Sequence, residues 1–273
     1  MTTKVATLWR KYVVLFGIEW SVMLAYRSES VIWMVSAFVQ PLVSLAIWLS
    51  ISTDMGPLNG YLQADYIRYF LGVLLVVRLT QSWDVWELDR EIREGTLSAK
   101  LLRPFHPIHW SLAQNLVYNL FFATLIVPVW CLLAFFIPSA RLPVNVVGLL
   151  VATVAIGLAS GIRFLIGYQV GLLAFWTNRA TSIYMLYEGV HLFLAGRLAP
   201  LAMFPDWVQR IGKVLPFYLT IGFPVELLTG KIDIYSQEAL LGIGIQVLWF
   251  LVLLVLFRVI WRKGLQQYGA VGG

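Results

Sequence analysis

Residues 87–110, ELDREIREGTLSAKLLRPFHPIHW, decide how the chain is read. They gather Glu87, Asp89, Arg90, Glu91, Arg93, Glu94, Lys100 and Arg103 between two long apolar segments, in a chain of which only 12% is charged. Charges this dense do not dissolve in lipid. If the flanking segments cross a membrane, the run is an aqueous loop, and Arg and Lys close to span ends put it on the cytoplasmic side. It reads as a short helix, a turn at Gly95, a second amphipathic piece from Thr96 to Leu102 and a stop at Pro104. Both signs of charge beside Leu97, Leu101 and Leu102 make a docking surface; a solvated connector that only fixes topology is the other reading of the same residues.

Composition sets the class. Of 273 residues, 60% are hydrophobic and 15% aromatic, too little polar surface for a soluble domain of this size. The expectation is an all-α integral membrane protein. Its formal net charge of +6 suits a leaflet rich in anionic lipid, and no nucleic-acid signal accompanies it. The one cysteine, Cys131, lies in an apolar run, VPVWCLLAFF, without Cys or His neighbours, so it forms no internal disulfide and no metal site.

Working outward, the first thirty residues interleave apolar and charged groups, unlike a removable signal peptide. Val5, Leu8, Trp9, Tyr12, Phe16, Trp20 and Met23 recur at helical spacing, with Lys4, Arg10, Lys11 and Arg27 for lipid phosphates. This predicts an interfacial helix over 1–29, lying along the cytoplasmic surface. Crossing the hydrocarbon takes about 20 apolar residues, and roughly six stretches qualify: 31–52, 66–86, 108–137, 145–176, 182–201 and 238–260. Most Lys and Arg then fall on the side of residues 87–107, which places both termini in the cytoplasm.

Between the last two spans the segment LAPLAMFPDWVQRIGKVLPFYLTIGFPVELLTGKIDIYSQ is too apolar for a simple loop, yet Pro200, Pro205, Pro216 and Pro224 forbid a helix long enough to cross. Two short re-entrant helices, 206–214 and 217–228, are expected within an outer segment over 202–232. Phe204, Trp207, Pro216, Phe217, Tyr218 and Phe223 would form an outer gate; a peripheral cap is the alternative.

Catalytic motifs are missing. His106, His109 and His191 form no His-Glu-x-x-His pattern, and there is no nucleophile elbow. Gly212-Lys213 and Gly230-Lys231 are followed by Val214 and Ile232 rather than by Ser or Thr, so ATP would be hydrolysed on another chain. Within the spans, Arg78, Arg163, Glu188, His191 and Arg197 require an account, since each ionisable group in hydrocarbon costs several kcal/mol. At ~1.5 Å per residue, Arg163 and Glu188 fall at matching depth and are expected to pair. Glu188 and His191 share a helix face. A structural ion pair and a substrate-facing polar patch both fit. Gly157, Gly161, Gly167 and Gly171 provide close helix contacts.

The charged loop is similar to the Ile-Arg-x-Gly-x-Leu…Leu-Leu-x-Pro loop of permease subunits of type-2 ABC exporters, in the ABC-2 membrane-protein branch, matched here by Ile92, Arg93, Gly95, Leu97, Leu101, Leu102 and Pro104. FPDWVQRIGKVLPFYLTIGFP resembles the outer re-entrant pair of the same family. The resemblance covers nearly the whole chain. It implies a single permease domain over 1–273, in the cytoplasmic (inner) membrane of a prokaryote. Its coupling loop, 87–107, would dock a separate ATPase subunit through Glu87, Arg90, Glu91, Arg93, Glu94, Gly95, Leu97, Leu101 and Leu102. ATP and Mg would bind that partner, with no cofactor on this chain, and a second permease, identical or related, would complete the pathway. An amphipathic, drug-like or lipid-like substrate would be exported. An ion-driven secondary transporter is the runner-up, though Glu188 is the one clear mid-span carboxylate and no internal repeat is evident.

Overall fold

The computed structural model describes residues 2–143 and 145–271, which form helices and no strand. The helices are α1 (Thr2–Ala25), α2 (Arg27–Met55), α3 (Gln63–Thr80), α4 (Asp84–Arg93), α5 (Leu97–Leu101), α6 (Ile108–Phe136), α7 (Val146–Leu172), α8 (Ala180–Leu194), α9 (Asp206–Gly212), α10 (Pro216–Thr220), α11 (Gly222–Leu228) and α12 (Gln237–Val271).

Four stretches are long and apolar enough to cross a membrane: Ile32–Met55, Ile108–Phe136, Val146–Phe175 and Gln237–Tyr268. Six were expected. The second expected span, 66–86, stops early, because α3 ends at Thr80 and is an 18-residue helix carrying Asp65, Arg68 and Arg78. Its extension is blocked at Gln81, whose backbone is extended, and the Ser82 hydroxyl donates to Asp84 Oδ2 at 2.7 Å, a local bond that competes with helix continuation. The fifth, 182–201, shrinks to the 15 residues of α8, about 22 Å against a hydrocarbon core of ~30 Å. Gly196 closes it in the left-handed region (φ 84°), where its carbonyl accepts from the Tyr69 hydroxyl at 2.8 Å.

α7 is the hub, packed by α3, α4, α8, α10, α11 and α12. The bundle has two distinct ends. At one, Tyr268 of α12 donates to the Gly95 carbonyl at 2.9 Å, so α12 finishes beside the α4–α5 hairpin. At the other, α12 begins where Lys213 meets Glu238 at 2.6 Å, beside the outer segment.

That outer segment is three short helices rather than two, α9, α10 and α11, of 7, 5 and 7 residues. The break at Ile221 is tertiary in origin: Gly222 N–H donates to the Ala195 carbonyl at 2.9 Å instead of continuing the helix. Both ends of the segment touch the turn that precedes α3. Asn59 Nδ2 donates to the Ala202 carbonyl at 2.7 Å, and Lys231 donates to the Gly60 carbonyl and pairs with Asp65 at 3.0 Å.

α1 departs from the expected arrangement. Tyr12, Phe16, Trp20 and Met23, expected toward lipid, are part-buried, and α1 packs along the first half of α6. The Tyr12 hydroxyl lies 2.6 Å from His109 Nδ1, and Trp20 meets Phe121 edge-on at 5.8 Å. The outward face of α1 is apolar too, with Val13, Val14 and Ile18, so the periodicity gave two candidate faces and α6 took one. The side chains of Lys4, Val5, Leu8, Trp9 and Arg27 lie outside the described residues.

Candidate functional site

Two features concentrate polar groups, the hairpin α4–α5 and a cavity among α2, α3, α7 and α8. In α4, Val85, Leu88 and Ile92 recur at helical spacing and are buried, giving the apolar stripe by which the helix lies on α7. The approach is close because residue 171 is glycine: a β-carbon there would stand 3.2 Å from Leu88 Cβ and from Val85 Cα. Asp84 and Glu87 begin α4 and Arg90 and Arg93 end it, matching the helix dipole at both termini. Gly95 turns the chain with φ 74°, and α5 folds back so that Lys100 bridges Glu87 at 3.3 Å and Glu91. Arg93 pairs with Asp89 at 2.6 Å and donates to the Asn178 carbonyl at 3.0 Å, tying the hairpin to the turn before α8. Its root is held from the same side, the Tyr184 hydroxyl donating to the Ser82 carbonyl at 3.2 Å.

Burial divides the nine residues expected to dock a partner. Arg90, Arg93 and Glu94 are exposed and Leu102 is 89% exposed, whereas Glu91 and Leu97 are buried and Glu87, Gly95 and Leu101 are intermediate. The inward group holds the hairpin together; the outward group is a surface. Burial also raises two carboxyls on α4. Asp84 is pushed up to about 7, against the opposing pull of the Ser82 hydroxyl, and burial raises Glu91 against the pull of Lys100, which favours its charged form.

In the cavity, Arg163 Nη2 donates to Glu188 Oε1 at 2.5 Å and Arg197 Nη1 to Glu188 Oε2 at 3.2 Å, so one carboxylate joins α7, α8 and the turn after α8. Arg78 faces the same space without a carboxylate. Its donors go to the Trp33 carbonyl (3.1 Å), Gln81 Oε1 (3.0 Å) and the Tyr118 hydroxyl (3.3 Å), and its guanidinium lies 5.2 Å from the centre of the Phe122 ring. His191 stands apart from this group, with Nε2 2.9 Å from Thr220 Oγ1. The space enclosed is about 130 Å³.

Sequence reading missed Ser36 and Gln40, which line the cavity from α2, and Gln81, which lines it from just beyond the end of α3. Two polar residues four apart in an apolar helix were the available signal. It also passed over Glu226, buried between the hydroxyls of Tyr218 (2.5 Å) and Tyr61 (3.0 Å), which both donate to its carboxylate. The proposed outer gate does not form one row of rings. Tyr218 and Phe223 are buried, Phe204, Pro216 and Phe217 are part-buried, and Trp207 is exposed.

No group of three or more His, Cys, Asp or Glu side chains with metal-binding spacing occurs among the described residues. No curated protein matches the chain significantly. The model of one family does, over residues 38–272, a match that takes in the hairpin, the outer segment and all of the cavity wall but Ser36 and Ala37: the chain belongs to the ABC-2 family transporter proteins, a family of multi-pass membrane permease subunits.

Proposed function

We propose that the chain is the permease subunit of an ATP-driven exporter, moving amphipathic, drug-like or lipid-like compounds outward with ATP hydrolysed on a separate subunit. One observation carries the reading: the α4–α5 hairpin turns a charged outer face to solvent while its inner face is locked to α7 through Gly171 and to the base of α8 through Ser82 and Arg93. A push on Arg90, Glu94 and Leu102 passes into α7 and α8, the two helices joined by Arg163 and Glu188. Closure of a pair of ATPase subunits would thus rock the helices that wall the cavity.

In this reading α3 and α8 are the two short members of six spans, both termini are cytoplasmic, and α9–α11 form a re-entrant outer gate whose ends emerge on one side. A second permease chain completes the pathway across the cytoplasmic membrane. A pocket of about 260 Å³ beside the hairpin, walled by Met23, Trp33, Trp83 and Tyr118, suits an amphipathic compound. Glu188, the carboxylate that an ion-coupled transporter would need free, is already held by two arginines.

Affinity purification of the tagged chain from its native membrane tests the assignment. A co-purifying subunit with a phosphate-binding loop, and ATP hydrolysis by the pair, are the expected result. A chain purified alone that transports in response to an ion gradient would refute it.

A further inference from the structure

The cavity among α2, α3, α7 and α8 is out of electrostatic balance. Three guanidiniums, those of Arg78, Arg163 and Arg197, line it beside one carboxylate, Glu188, so two positive charges go uncompensated among the described residues. Burial makes that imbalance meaningful, because Arg163 is 2% exposed and Arg78 8% exposed. A pure structural network would pair its charges and satisfy its donors. Here the Nε donors of Arg78, Arg163 and Arg197 are all buried without a hydrogen-bond partner among the described residues. Buried donors that go unmade are rare and call for an explanation.

We infer that this cavity binds an oxyanion of phosphate type, and that the substrate of the transporter carries such a group. Arginine suits the task. Its planar fork of donors matches the geometry of phosphate and carboxylate oxygens, and it stays charged where lysine would lose its proton. The remaining wall is compatible, with the Ser36 hydroxyl and the amides of Gln40 and Gln81 as further polar groups. A volume of about 130 Å³ is far above the ~10–15 Å³ that one water requires, which leaves room for an oxyanion with its own hydration. Arg78 and Arg197 sit on different elements, α3 and the turn after α8, so an anion between them would tie together parts of the cavity wall that the proposed mechanism rocks.

The anion has two sources, the head group of an acidic phospholipid or a free phosphate-bearing solute. The inference takes its biological meaning from the transporter reading, but its test needs no ATPase. The full-length chain in phosphatidylcholine nanodiscs is titrated with dioctanoyl phosphatidic acid, its uncharged counterpart dioctanoylglycerol, and inorganic phosphate, following the unfolding temperature. Saturable stabilisation by phosphatidic acid alone assigns the site to a lipid head group; stabilisation by inorganic phosphate as well assigns it to a free anion. Arg78→Gln and Arg197→Gln should each weaken the apparent Kd about tenfold, the loss of one charge-assisted contact. Glu188→Gln should strengthen it, because the competing carboxylate is gone.

Ala37→Cys in a Cys131→Ala background leaves all four charges in place and gives a readout independent of the arginine variants. Alkylation of the introduced thiol on the cavity wall should slow when phosphatidic acid or phosphate is bound. Equal stabilisation by dioctanoylglycerol, unchanged affinity in the arginine variants, or no protection of the introduced thiol by either anion would overturn the inference. The transporter reading would survive that result if the ATPase still co-purified.

Discussion

Arg163 of α7 and Glu188 of α8 form an ion pair of 2.5 Å in which the arginine is 2% exposed and the carboxylate 28%. Arg197 shares the same carboxylate at 3.2 Å. Removing Glu188 strips two guanidiniums, one of them fully buried, of their carboxylate, so Glu188→Gln alone should destabilise the chain by about 3–5 kcal/mol, and Arg163→Gln, after which Arg197 still holds Glu188, by less. The double variant should cost clearly less than the sum. Thermal unfolding of the four chains in detergent gives the coupling energy, and additivity within about 0.5 kcal/mol would show that the pair contributes nothing.

Contact between α4 and α7 rests on residue 171 lacking a side chain. Gly171→Val brings carbon within van der Waals range of Val85 and Leu88, an overpacking expected to cost about 1–3 kcal/mol and to lift the hairpin from α7. ATP hydrolysis of the assembled transporter should then continue with little transport. A transport-to-hydrolysis ratio equal to that of the unmodified protein would show that this contact does not transmit motion.

Asp84 gives the hairpin a pH dependence of known sign. Burial pushes its folded-state value up to about 7, above the ordinary carboxyl range near 4. The stability gained from the neutral form is fully present below the unfolded value and is lost as pH rises through 7, with a magnitude on the order of 4 kcal/mol. Asp84→Asn should therefore flatten the fall in unfolding temperature between pH 5 and 8. An unaltered pH profile in that variant would mean that Asp84 does not titrate in this range.

The parts of this arrangement that sequence exposed are those set by local physics. Charge density alone set residues 87–107 apart from the apolar helices on either side, and counting residues along two helices was enough to match Arg163 with Glu188. Arg197 escaped that arithmetic because it lies beyond α8, in a turn whose path is set by Gly196 and its bond to Tyr69. Leu97 and Glu91 turned out to face inward. A five-residue helix such as α5 has too few turns for a hydrophobic period to show its buried side. In α1 both faces are apolar, so only packing on α6 could choose between them. The break between α10 and α11 was invisible for a related reason, since it depends on the Ala195 carbonyl, distant in sequence. The lengths of α3 and α8 were overestimated because apolar runs continue past the points where Gln81 and Gly196 stop the helix.

The outer segment makes a topological prediction. With helices of 5 to 7 residues, none longer than about 11 Å, no piece of α9–α11 can cross a ~30 Å core. In a Cys131→Ala background, cysteines replacing Trp207, 65% exposed, and Tyr235, 77% exposed, should both react with an impermeant thiol reagent from outside. Labelling of either from the cytoplasm alone would place a crossing between them and remove the gate.

Coupling to ATP depends on the hairpin as the docking site of an ATPase subunit. Glu94→Arg combined with Leu102→Glu alters only outward-facing side chains, so the fold and the unfolding temperature should not change by more than about a degree or two. Co-purification of the ATPase with this double variant, and its ATP hydrolysis in reconstituted membranes, form the direct test. A docking role predicts at least a roughly tenfold loss of association and of transport, on the scale of one or two interface hot spots; full retention of both by a normally folded variant would contradict it.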